Sequence, residues 1–327
     1  MQAIKCTCII PSLCQGKNLT YLRRCLNSLI AAKTNNVRLK IIVVSNNRGA
    51  RLDSLSGRVD GLIKVDESFG FAKMNNEAID RSLELNKSDY HLLINDDAWV
   101  EKDFFKVFVE TVKKSRPDLL ISLIYTPDKK VIDSYGVEYF KSGYAKNNIS
   151  FDVQTTLAPA ACLLIKSSFL KQIKKSYGYY FNPLLHSYLE DVELSIRAKA
   201  IGASLLKNKK LIAYHLGSAT YGKKGRFTMF QTYRNILWLI ILTWPAKIIL
   251  KHLPSILLVQ GWMIFCSLYS FGPLLYLQVL ADTLRNLKQL LRARKMTIAK
   301  YHKSFNFNKL FSKYAFRTYH GVTIRIQ

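Results

Sequence analysis

Three short runs put acidic or metal-competent side chains where chemistry can be done. The first is Asn95-Asp96-Asp97, directly after the apolar run Tyr90–Ile94. Carboxylates at the C-terminal end of a strand sit where an open α/β sheet places its ligand. Asp97 can hold a divalent cation, Mg²⁺ or Mn²⁺, whose other positions are filled by diphosphate oxygens. The plainer reading is that Asn and Asp only make a turn or cap the next helix. The second run is Ser187-Tyr188-Leu189-Glu190-Asp191-Val192-Glu193. Ser187 and Glu190 have capping-box spacing, which gives Glu190 a structural role at a helix start. Asp191 is left over from that box, and the positive end of the helix dipole keeps its carboxylate ionised. Such a carboxylate can take a proton from a hydroxyl, a role worth roughly 10²–10⁴ in rate. It can equally do no more than complement the dipole. The third is His215, at the end of the strand-like run Leu211–Tyr214, whose neutral imidazole can complete a cation's coordination opposite Asp97.

A second set of residues reads as nucleotide contacts. Pro11-Ser12 ends the first apolar run and Ser45-Asn46-Asn47-Arg48 ends the second, so both fall at the same sheet edge. Gly70-Phe71-Ala72-Lys73-Met74-Asn75-Asn76 opens a helix, whose backbone N–H groups can face a phosphate or a base. Lys223, Lys224 and Arg226 lie in a Gly-flanked loop that can close over a leaving diphosphate or simply be solvated. No G-x-G-x-x-G and no G-K-[ST] loop occurs, which counts against dinucleotide oxidoreductases and P-loop enzymes.

These positions matter only if the chain builds a sheet beneath them. Strands are predicted at Ile4–Ile10, Leu39–Val44, Leu62–Val65, Tyr90–Ile94 and Leu119–Ile124, each short, apolar and rich in Ile and Val. Between them fall a helix capped by Asn18 and others over Ala72–Leu85 and Lys102–Lys114. The alternation predicts a mainly parallel α/β sheet flanked by helices. A polar loop is expected over 129–156. Then come a strand at Ala160–Ile165, a helix at Ser167–Lys175, a helix from Tyr188 to Ala200 and the strand before His215.

The last third differs. Leu253 to Ala281 contains no charged residue and is long enough to cross a bilayer. Pro254, Gly261, Gly272 and Pro273 should kink or break it. A basic tail follows, with Asp282 as its single acid. The whole chain carries 49 Lys and Arg against 22 Asp and Glu, a formal charge of +27, which points to an anionic partner. The six cysteines form neither a C-x-x-C pair nor a disulfide framework, as in a reducing compartment. The N-terminus enters a strand at once, without a signal-peptide pattern.

The order of segments resembles the family 2 inverting glycosyltransferases of the GT-A fold, the rhamnosyltransferase-like members above all. Cys8-Ile-Ile-Pro11, Val43-Val-Ser-Asn46-Asn47, Gly70 to Asn76, Leu92 to Asp97, and Glu190-Asp191 followed by His215 carry the likeness over residues 4–235. The resemblance implies a sugar moved from a nucleotide-sugar to a hydroxyl by single displacement with inversion. It casts Asp191 as the base, Asp97 and His215 as metal ligands, and Asp96 near the ribose or donor. Ala161, Cys162, Glu190 and Arg234 fall on the acceptor side, with Arg234 in a run, Tyr233-Arg234-Asn235, that follows the catalytic domain in related members. Two departures stand out: Ser45 replaces a common acid, and the metal element reads Asn-Asp-Asp instead of Asp-x-Asp.

A nucleotide-sugar donor and the basic tail both place this chain at the cytoplasmic face of the cell's inner membrane. Residues 1–235 are expected to be the catalytic domain. Residues 236–327 are expected to be a helical, interfacial or re-entrant unit meeting anionic lipid, with a two-span hairpin or a buried subdomain as alternatives. The acceptor would then be a glycan, in particular a lipid-linked one. Two other functions compete. A nucleic-acid-binding protein would suit the charge, yet the aromatic residues cluster with apolar runs and not with Lys and Arg, so no nucleic acid is expected. A nucleotidyltransferase shares the metal and nucleotide logic without needing a membrane segment.

Overall fold

The computed structural model describes residues 2–50, 55–85, 87–155, 157–217 and 225–313, with the backbone of 316–317 and 323–324. In chain order the elements are β1 (Ile4–Pro11), α1 (Gly16–Ala31), β2 (Val37–Ser45), β3 (Gly61–Lys64), α2 (Phe71–Leu85), β4 (Tyr90–Ile94), β5 (Ala98–Val100) and α3 (Phe104–Ser115). They continue as β6 (Leu119–Tyr125), β7 (Ile132–Ser134), β8 (Val137–Tyr139), β9 (Ala145–Asn147), β10 (Cys162–Lys166), α4 (Ser167–Tyr177), α5 (Glu190–Ala200) and β11 (Leu205–His215). Three long helices complete this part: α6 (Arg226–Thr243), α7 (Ala246–Phe271) and α8 (Pro273–Ala299).

A nine-stranded sheet runs in the order β3-β2-β1-β4-β10-β6-β11-β5, with β7 on the side of β6. The strands β1, β2, β3, β4, β6 and β11 point one way, and β5, β7 and β10 point the other. The predicted mixed, mainly parallel sheet is therefore present. Alternation along β1 shows how it is covered. Cys6, Cys8 and Ile10 enter one core layer with Leu22 and Leu26 of α1 and Phe104 and Phe108 of α3. Ile9 faces the opposite layer with Ala78 and Ile79 of α2, Leu170 of α4 and Leu194 of α5. Successive side chains of a strand point to opposite faces, so a strand buried on both sides reads as continuous apolar sequence.

Helix ends show local control. α3 stops where Arg116 turns left-handed (φ 43°) just before Pro117. α4 stops at Gly178 (φ 84°), a conformation glycine adopts without penalty. Five features depart from expectation. Asn18 does not cap α1, which begins at Gly16 behind Gln15; Asn18 instead sends its amide to Asp96. The stretch 129–156 is not only loop, because it contains β7, β8 and β9. β5 was not foreseen, and β11 begins at Leu205, with an irregularity between Asn208 and Ile212. Finally, α7 runs through Pro254 and Gly261 as one helix and breaks only at Gly272 (φ 74°) before Pro273.

α6 runs unbroken through residue 235 and packs Leu239 and Ile240 against Val137, Val192 and Ile196 of the sheet-bearing part. Its first half meets Val259 and Met263 of α7 and Leu275 and Val279 of α8.

Candidate active site

A cavity of about 530 Å³ opens at the edge where β1, β2, β4 and β11 end and β10 begins. Pro11 and Ser12 follow from β1, Asn46 from β2, Asn95 to Asp97 from β4, His215 from β11, and Ala160-Ala161 lead into β10. Glu190 and Asp191, at the start of α5, close the far wall. Pro11 and His215, 204 positions apart, thus share one cavity because parallel strands deliver their C-terminal ends together.

The acidic run divides its tasks. Asp96 is buried and accepts from Ser12 Oγ (2.6 Å) and Asn18 Nδ2 (3.3 Å). Burial, and then the neighbouring Asp97 charge, push its pKa up to about 7 against these hydrogen bonds. Asp97 Oδ1 lies 3.1 Å from His215 Nε2, and His215 Nδ1 is 2.9 Å from Asp133 Oδ2. Burial opposes charge on this imidazole, but the hydrogen bonds to Asp133 and Asp97 outweigh it and raise its pKa to about 10. Asn95 Oδ1 is buried beside them without a hydrogen-bond partner.

This arrangement fits a divalent cation. A divalent cation would have to take the place of the proton between Asp97 Oδ1 and His215 Nε2, and would then be held by the carboxylate and a neutral imidazole. Asp133 orients the imidazole from behind, as outer partners of metal-bound histidines do. Among the described residues no cluster of three or more His, Cys, Asp or Glu makes a complete cage. Asp97 and His215 would hold the ion in company with ligand oxygens, which suits a metal that arrives with a diphosphate.

The second acidic run departs from the expected cap. Leu189, in the left-handed region (φ 64°), precedes α5 and makes no side-chain cap. Ser187 Oγ is used elsewhere, accepting from the Phe71 N–H of α2 (3.2 Å). The capping box therefore does not form, and Glu190 faces the cavity with Oε2 buried and unpartnered. Asp191 accepts from the Ala160 N–H (2.9 Å) and the Val192 N–H (2.8 Å), and each oxygen keeps a lone pair for a further donor. Burial raises both carboxyls. Repulsion from Asp191 lifts Glu190 well above the usual range, whereas backbone N–H groups pull Asp191 back down. Of the two, Asp191 is the more readily ionised.

The loop feeding this pair is held in an unusual shape. His186 (φ 60°), Tyr188 (φ 70°) and Leu189 (φ 64°) are all left-handed without being glycine. Buried Asn235 of α6 donates to the carbonyls of Leu185 (2.8 Å), Ser187 (2.8 Å) and Tyr188 (2.7 Å). Arg234 Nη2 adds a bond to Leu185 O (3.2 Å). On the other side, Ala72 N donates to His186 O (2.9 Å), and a Cβ on Gly70 would lie 2.4 Å from the His186 ring.

Other predicted site residues are placed differently. Asn46 reaches the cavity; its amide donates to Phe69 O (2.8 Å) while its Oδ1 is buried without a partner. Phe71 and Ala161 also line it. Asn47 does not: its side chain ties Leu13 O and Gly49 N into a turn. Asn75 is fully buried and its amide returns to Phe71 O (2.9 Å). Cys162 faces the core, where burial pushes its thiol up to about 12. Arg234 does not face the cavity but pairs with Asp282 (3.1 Å) and braces the 185–189 loop. Arg226 is exposed at the start of α6 and meets Gln278 (3.1 Å), while its neighbour Phe227 lines the cavity. Lys223 and Lys224 lie outside the described residues. Sequence reasoning missed Asp133, His186 and Lys146, the last two also lining the cavity, and named Asn235 only within the run Tyr233-Arg234-Asn235.

No family model and no curated protein matches the chain. Solved structures do. Residues 1–349 of TarS from S. aureus superpose with a TM-score of 0.54 at 16% identity, covering 91% of this chain and 89% of that one. GalNAc-T7 with UDP, GalNAc and Mn²⁺ gives 0.55 at 12% identity over 78% of this chain and 50% of that one. The mannosyltransferase PcManGT from Pyrobaculum calidifontis, in complex with GDP-Man and Mn²⁺, gives 0.51 at 11% identity over 92% and 86%. The chain has the GT-A fold shared by these glycosyltransferases.

Proposed function

We propose that this chain is an inverting glycosyltransferase that moves a sugar from a nucleoside-diphosphate donor to an acceptor hydroxyl. The observation that carries the reading is the shared cavity: a carboxylate–imidazole pair on one side and a carboxyl group held by backbone N–H groups on the other. The fold is one whose neighbours were solved with UDP-GlcNAc, or with UDP or GDP-Man and Mn²⁺. The nucleoside lies over Pro11, Ser12 and Asn46, whose open Oδ1 offers an acceptor to a base N–H. Asp97 and His215 would hold a divalent cation, Mn²⁺ or Mg²⁺, which would neutralise charge on the diphosphate.

Asp191 takes the acceptor proton as the acceptor oxygen forms its bond to the anomeric carbon. The bond from that carbon to the diphosphate oxygen breaks, and its electron pair leaves with the nucleoside diphosphate. Attack from the face opposite the leaving group inverts the configuration. Glu190, the carboxyl raised further of the two, is the less ready base and when protonated can donate to a sugar oxygen. A basic nucleic-acid-binding role finds no support in this cavity, and a nucleotidyltransferase would not require the carboxylate opposite the cation pair.

The test is a thermal-shift panel of nucleotide-sugars with and without Mn²⁺. One donor should raise the melting temperature in the presence of Mn²⁺, and Asp97→Ala should abolish that dependence. A panel in which no donor shifts the protein under either condition would count against the reading.

A further inference from the structure

α7 exposes a largely apolar face opposite the one it buries. Its inner stripe is Ser255, Ile256, Val259, Met263 and Ser267. Opposite it, Leu250 (71% exposed), Leu257 (61%), Trp262 (49%), Phe265 (59%) and Tyr269 (87%) stand in the open. A surface helix of a water-soluble protein carries polar residues on that side. The exposed stripe continues onto α8 through Leu274, Leu277 and Leu284. A continuous apolar surface of this length marks an interaction site.

Charge identifies what covers it. Lys247 and Lys251 stand exposed at the start of α7, and Arg285, Lys288 and Arg292 stand exposed along α8 among Leu284, Leu287 and Leu291. A second copy would have to bring these cations, on a chain of formal charge +27, against their equals. An anionic lipid surface neutralises them while taking the apolar stripe, with Trp262 and Tyr269 suited to the headgroup level.

Packing decides the orientation. At 26 residues α7 is long enough to span. However, its inner face is fixed along its length to the rest of the protein. His252 packs on Phe311 and Trp244, Ile256 joins Val137 and Tyr139, and Val259 and Met263 join Tyr233 and Ile236. α6 in turn holds the loop before Glu190. A spanning α7 would drag this polar machinery into hydrocarbon, which the ion pair of buried Arg234 with half-buried Asp282 opposes.

We infer that the outer face of α7 and the first half of α8 lie flat in the headgroup layer of an anionic bilayer leaflet. The turn joining them sits beside the first turns of α6, where Arg226 meets Gln278 and Phe227 lines the cavity. The mouth of the site is thereby brought to the lipid surface, which suits an acceptor hydroxyl carried on a lipid-anchored glycan. That last step rests on the glycosyl-transfer reading; the docking does not.

The test is co-flotation of the full chain with vesicles of phosphatidylcholine alone or with about one third phosphatidylglycerol. The protein should float with the anionic vesicles at least about tenfold better than with neutral ones, and Leu257→Glu/Phe265→Glu should remove that gain. Both side chains are exposed, so the double variant should keep the wild-type melting temperature and donor-hydrolysis rate. Flotation that survives the double substitution overturns the proposal. So does a soluble dimer that this variant dissociates while the wild type ignores vesicles. If flotation behaves as stated but no donor is turned over by either protein, docking stands and the glycosyl-transfer reading fails.

Discussion

Asn235 offers the sharpest mutational test of how the site is held. Its side-chain amide donates to three carbonyls, that of buried Leu185 and those of half-buried Ser187 and Tyr188, and its oxygen accepts from Arg234 Nε at 3.0 Å. Two amide protons serve three acceptors, so about two full hydrogen bonds are at stake, and each buried group left unsatisfied costs about 1–3 kcal/mol. Asn235→Ala should therefore cost about 3–4 kcal/mol if the loop keeps its shape. Three left-handed residues, each strained by about 1 kcal/mol or more, give the loop a reason to relax instead. Relaxation would displace Glu190 and Asp191, and a shift of about 1 Å in a reacting group can cost about 10²-fold in rate. The assay pairs urea denaturation with initial-rate donor turnover. The expected result is a lower unfolding midpoint and a fall in kcat at nearly unchanged donor KM, because the Asn46 and Asp97 side of the cavity does not touch Asn235. A stability loss below about 1 kcal/mol with normal kcat would refute the reasoning.

Asp191→Asn should retain the donor-induced thermal shift and lose about 10²–10⁴ of turnover, measured as nucleoside-diphosphate release. For the wild type, kcat/KM should fall on the acid side as Asp191 gains its proton; because burial raises this carboxyl, the midpoint should lie above an ordinary Asp value of about 3.9, and Glu190→Gln should keep turnover at neutral pH. Asp133→Asn should weaken Mn²⁺ binding about 10–100-fold by titration calorimetry in the presence of donor, without removing either proposed ligand. Gly70→Ala places a methyl 2.4 Å from the His186 ring, so the melting temperature should drop and donor turnover with it.

The fold and one half of the site were legible in the sequence for a single reason. Strands buried on both faces appear as apolar runs, and the residues just past the end of each run land at one edge of the sheet. That logic brought Ser12, Asn46, Asp97 and His215 to the cavity. It could not reach Asp133, which lies on a three-residue strand in a polar stretch where no periodicity can show. Nor could it tell Asn46 from Asn47, or Ala161 from Cys162, since neighbouring positions differ only in which way each side chain turns. The capping box at Ser187 and Glu190 fitted a local rule, yet a tertiary contact won: Ser187 serves the N-terminus of α2, 116 residues away. Glu190 thus makes no cap and lines the cavity, so of its two expected roles only the structural one fails. Arg234 and Asn235 carried no local signal for bracing a loop some 50 residues earlier.

The central claim is direct, single-step transfer with Asp191 as base. The measurement that meets it most directly is proton NMR of the anomeric signal released from the donor identified by thermal shift, monitored before mutarotation scrambles it. The account predicts a first-formed product of inverted anomeric configuration, with the signal lost in Asp191→Asn. A product of retained configuration, or an undiminished rate in that variant, would contradict it.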